Sequence, residues 1–69
     1  MTSEIVNKMI EEINNWISMA KAEYQTNGRS NWYQRTTDRI NGMVKMLNIA
    51  TGKEWYFDDN GVHERRTKQ

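Results

Sequence analysis

Near the start of the chain, Val6, Ile10, Ile13, Ile17, Ala20 and Tyr24 follow one another at intervals of four, three, four, three and four. That spacing keeps them on one face of an α-helix, whereas a half-buried strand would need strict alternation. Met9 and Trp16 widen the stripe. Thr2 or Ser3 can cap the start, and Glu4 sits near the positive end of the helix dipole. Asn27-Gly28 supplies residues that tolerate a left-handed exit. The spacing therefore predicts a helix over residues 4–25, about 33 Å long at 1.5 Å per residue. A helix of that length with one wide apolar stripe must cover something, and the rest of the chain is the first candidate.

Residues 28–69 can be read in two ways. The first is an antiparallel meander over residues 31–66. Asn41-Gly42 and Asn60-Gly61 are strong hairpin signals, and Thr51-Gly52-Lys53 offers a turn between them. The intervening segments, Trp32 to Ile40, Met43 to Ala50, Glu54 to Asp58 and Val62 onward, have strand lengths. Thr36-Thr37 and Trp55-Tyr56-Phe57 favour a pleated surface. The alternative is a second helix, with Ile40, Met43, Val44 and Leu47 at helical spacing and Ser30 as its cap. Gly42 in mid-helix would cost about 1 kcal/mol there, and Thr36, Thr37, Asp38 and Asn41 are poor helix formers. The expectation is an α+β domain: one long amphipathic helix packed on a three- to four-stranded antiparallel meander. A helical hairpin followed by a C-terminal β-hairpin is the alternative. Residues 67–69 are expected to fray.

Composition narrows the function classes. A chain of 69 residues buries only about 60% of the surface its unfolded form exposes, so one domain is expected and a partner subunit would help it. With no Cys and one His, disulfides are excluded and the usual zinc site is disfavoured. No apolar run approaches the ~18 residues that cross a membrane. The opening Met-Thr-Ser-Glu-Ile-Val lacks a basic segment followed by an apolar one, so a cytoplasmic location is expected. Net charge is +1, divided as −2 over residues 1–27 and +3 over residues 28–69.

No catalytic constellation emerges. His63 has Glu64 beside it, but strand neighbours point to opposite faces, and nothing ties it to Ser30. Asp58-Asp59-Asn60-Gly61 resembles part of a calcium loop, yet an EF-hand aligned on Gly61 needs an acidic residue where Tyr56 stands and Glu where Thr67 stands. It reads as a turn. Glu11 and Glu12 diverge by about 100° on a helix and cannot act as a pair. Gly28, Gly42, Gly52 and Gly61 are scattered, so no glycine-rich phosphate loop exists. No enzyme activity, cofactor or metal is expected.

Binding is what remains. In a strand, Tyr33, Arg35, Thr37 and Arg39 would share one face that could follow a phosphate backbone, extended by Arg65, Arg66 and Lys68. Surplus aromatics, Trp32, Tyr33, Trp55 and Tyr56, instead fit interface anchors. The partner-binding candidates are Trp32, Tyr33, Arg35, Arg39, Tyr56, Arg65 and Arg66. The expected function is a protein-binding module, a small modulator or inhibitor of a partner protein. Its length, lack of Cys and single domain are similar in type to those of short accessory proteins of bacteria and phages. Nucleic-acid binding through the basic and aromatic face is the alternative. The helix stripe and five methionines leave a homodimer as a further expected partner, because so small a core gains from a second chain.

Overall fold

The computed structural model describes residues 3–66. Thr2, offered above as a cap, Lys68 and the tail 67–69 lie outside them. Two helices, α1 (Ser3–Asn27) and α2 (Asn31–Thr51), precede two strands, β1 (Trp55–Asp58) and β2 (Gly61–Glu64). The class is α+β, but the meander is corrected: the strands expected from Trp32 to Ile40 and from Met43 to Ala50 are one continuous helix, and only the final hairpin is extended.

The physical reason lies in which residues can be buried together. Ile40, Val44 and Leu47 all face the core and, with Thr36, are buried. As a strand the same segment would send Val44 and Leu47 to opposite faces, and this molecule has one core to offer. Burying three such side chains contributes about 1.5–3 kcal/mol each, which outweighs the roughly 1 kcal/mol that Gly42 costs in mid-helix. Thr37 and Thr51 meet the helix on its own terms by donating their hydroxyls to the carbonyls of Tyr33 and Leu47, one turn back, both at 2.8 Å.

The helix ends are set by the punctuation in the sequence. Gly28 leaves α1 at φ +64° and donates its N–H to the Tyr24 carbonyl. Ser30 caps α2, its Oγ accepting from Tyr33 N at 3.1 Å. Its own hydroxyl donates to Glu23, which also accepts from Asn27 Nδ2. Glu23 thus fastens the end of α1 to the start of α2. The three-residue connection makes the helices antiparallel neighbours. Gly52, at φ +68°, ends α2 and donates to the Asn48 carbonyl. Thr51-Gly52-Lys53 is a turn, but it joins a helix to a strand rather than two strands.

In the hairpin Trp55 pairs with Glu64, Tyr56 with His63, Phe57 with Val62 and Asp58 with Gly61. The turn residues are Asp59 and Asn60, one position earlier than an Asn60-Gly61 turn. Neither has positive φ; Gly61 takes it instead, at +134°. Phe57 and Val62 face inward and complete a core of Ile13, Ile17, Ala20, Ile40, Val44 and Leu47. Two asparagines, one from each helix, hold the strands in place. Asn14 Oδ1 accepts from Val62 N at 2.9 Å, and Asn48 Oδ1 from Trp55 N at 2.7 Å. β2 is thereby tied to α1 and β1 to α2.

Candidate protein-interaction face

The hairpin covers one side of the helix pair and leaves the other side open. Toward the open side α1 presents Ile5 and Met9 and α2 presents Met43 and Met46. These four line a groove with Ile13 at its floor and Lys8 and Glu12 on its rim. At the opposite end, Met19, Ala22 and Thr26 of α1 and Trp32 of α2 form a shallow hollow beside Glu23. Between the two lie Trp16 and Arg39, with the guanidinium 4.9 Å from the centre of the indole. Trp16 Nε1 donates to Glu12 Oε1 at 3.2 Å, so Glu12 and Arg39 hold the ring from two directions. Ile5, Met19, Trp32 and Met46 are all exposed, Met46 to 60%. This helix side is therefore apolar and rich in methionine toward its two ends, with the Glu12–Trp16–Arg39 cluster between them. Such a surface is costly to leave in water and adapts to what covers it.

The two helices carry opposite charge. α1 holds Glu4, Glu11, Glu12 and Glu23 against Lys8 and Lys21, a net of −2. α2 holds Arg35, Arg39 and Lys45 against Asp38, a net of +2.

The residues expected from the sequence to form one site are distributed over three regions. Trp32, Arg35 and Arg39 belong to the exposed part of α2. Tyr33 is half-buried and packs on Tyr24, ring centres 5.1 Å apart. On a helix, positions 33 and 35 diverge by about 200°, so the phosphate-binding face of Tyr33, Arg35, Thr37 and Arg39 does not form. Tyr56, Arg65 and Arg66 belong to the hairpin end. Arg65 lies over the Tyr56 ring at 5.3 Å, and Arg66 borders a polar hollow with Lys53, Glu54 and Glu64. The outer face of the hairpin continues from Tyr56 to His63, whose rings are 5.3 Å apart.

His63 Nε2 lies 3.0 Å from Asp58 Oδ1, and the same oxygen accepts from Asn60 N at 2.8 Å. The hydrogen bond from His63, and then that from the Asn60 N–H, hold the Asp58 carboxyl below the usual carboxylate value. The acidic run Asp58-Asp59-Asn60-Gly61 is thus occupied in shaping the turn. Ser30, engaged with Glu23, is not brought to His63. Among the described residues no group of three or more His, Cys, Asp or Glu gathers as a metal site, and no helix is long and apolar enough to cross a membrane.

Sequence reasoning raised the methionines only as a group and left out Ile5; Ile5, Met19 and Met46 are exposed, and Met43 is half-buried beside them. The signal was present in the number of methionines and in the width of the α1 stripe. A helix packed on a broad sheet would have buried all of it; packed on another helix and a narrow hairpin, it cannot. No family model, curated protein or solved structure matches this chain.

Proposed function

We propose that this chain is a non-enzymatic protein-binding module that modulates or inhibits a partner protein by docking through the open side of its helix pair. The observation that carries the reading is the apolar face lined by Ile5, Met9, Met43 and Met46 and continued by Trp16, Met19 and Trp32. Methionine side chains repack at little cost, and a Trp flanked by Arg is a common energetic centre of an interface. A helical face of this kind is suited to a helical or groove-shaped partner surface. Of the residues singled out in the sequence, Trp32 and Arg39 border it, and Arg35 is exposed on the same helix. Tyr56, Arg65 and Arg66 form a separate polar end, and Tyr33 supports the helix pair.

A matched capture experiment tests the reading. Wild type, Met46→Glu and Tyr56→Ala are each used as bait, with circular dichroism confirming that all three are folded. A protein retained by wild type and Tyr56→Ala but lost with Met46→Glu is the expected result. Retention by Met46→Glu with loss on Tyr56→Ala would move the function to the hairpin and overturn the assignment.

A further inference from the structure

The open face has a property that selects its occupant: it is charge-complementary to itself. The charged side chains that border it are Lys8, Glu12 and Glu23 on the α1 side, a net of −1, and Arg39 on the α2 side, a net of +1. An isologous dimer needs a patch that fits its own two-fold image. Two such images exist for an antiparallel helix pair. If the two-fold axis runs across the helices, α1 lies on its counterpart and α2 on its counterpart, so like charge meets like. If it runs along the helices, α1 of each copy lies on α2 of the other, and opposite charges meet twice. The second arrangement keeps every residue at its own height. Glu12 of one copy then approaches Arg39 of the other, because in each chain both side chains contact Trp16 and so lie at similar height along the helix pair.

We propose that the occupant of this face is a second copy of the chain, docked about a two-fold axis parallel to the helices to form a four-helix bundle with a hairpin on each outer side. The proposal rests on the reading of the open face as a docking surface; the second copy covers the same side chains that a partner protein would engage, so partner binding there competes with self-pairing. The area is sufficient. A face one α2 long, about 31 Å, and two helices wide, about 20 Å, offers roughly 620 Å² per copy, about 1,240 Å² in total and within the ~1,200–2,000 Å² of a standard interface. Met9, Met43 and Met46 would become interior side chains of the bundle, a natural role for a side chain that fills irregular gaps.

Sedimentation equilibrium on the full chain at about 100 µM decides the matter. Wild type should show twice the 8.2 kDa of one chain. Met46→Glu should give a folded monomer, with wild-type helicity by circular dichroism as the control. Glu12→Arg and Arg39→Glu should each raise the dimer dissociation constant about tenfold, because each places like charges together at two symmetric positions. The double exchange should restore dimerisation, which a bundle built with the axis across the helices would not produce. A wild-type monomer overturns the proposal, as does a dimer indifferent to Met46→Glu or charge variants that fail to rescue one another. If wild type is monomeric yet captures a different protein in a manner abolished by Met46→Glu, the docking face stands and only its self-pairing falls. If neither pairing nor such capture occurs, both fail.

Discussion

At position 61 the backbone turns through φ +134°, and a Cβ placed there would stand 2.8 Å from Asn14 Oδ1. That oxygen cannot easily retreat, since it accepts the Val62 N–H. Gly61→Ala should therefore destabilise by about 2–3 kcal/mol, from backbone strain and a displaced hydrogen bond together. Measured by urea unfolding, its cost should shrink in an Asn14→Ala background, because the steric part disappears with the amide; strict additivity would refute the coupling. Asp58 gives a second prediction at this scale. Its carboxyl is lowered in the folded state, so the stability it confers is complete above the ordinary value of 3.8 and is lost as pH falls through the folded value. An acid titration of stability should steepen below about pH 4, and Asp58→Asn should flatten that limb. An unchanged acid limb would mean that the pair with His63 has no thermodynamic weight.

Among the elements, α2 is the instructive one. Its Asn41-Gly42 pair has the composition of a hairpin turn, and it lies in the middle of 21 helical residues. Nothing stands within 4 Å of the Cβ that an alanine would bring to position 42. Gly42→Ala should therefore stabilise the protein by about 0.8–1 kcal/mol, read as a raised melting temperature; no gain would mean that this segment is not helical in solution. The same residue explains how far the sequence could be read. The α1 stripe, the left-handed exit at Gly28, the Ser30 cap of the alternative reading and the hairpin after Trp55 were all visible as local chemistry. The state of residues 31–50 was not, because Asn41-Gly42 speaks for a turn over two residues. Thr36, Ile40, Val44 and Leu47 speak for a helix only once α1 is present to bury them. The candidate face suffered the same loss. Arg35 and Arg39 were visible as charges, but Met46 becomes a surface residue, with half-buried Met43 lining the groove beside it, only when both helices are placed and the hairpin is seen to lie on their other side.

Taken as a molecule, the protein is a helix pair with a partial cover. The core draws on all four elements, yet the hairpin gives it only Val62 as a buried side chain, with Trp55 and Phe57 partly buried against it. A chain of this size has about 3–10 kcal/mol of total stability, so this modest cover matters. A chain ending at Gly52 should keep helical far-ultraviolet dichroism but lose its cooperative thermal transition and bind a dye such as ANS. A sharp transition in the truncated chain would show that the helix pair stands alone.

The ties from Asn14 and Asn48 carry a further consequence for solvent exchange. The amide protons of Val62 and Trp55 are held by helix side chains rather than by the opposite strand. Fraying of the ribbon does not free them; the ribbon must lift from the helices as a body. In deuterated water these two positions should exchange slowly and together, reporting the rate at which the core is uncovered.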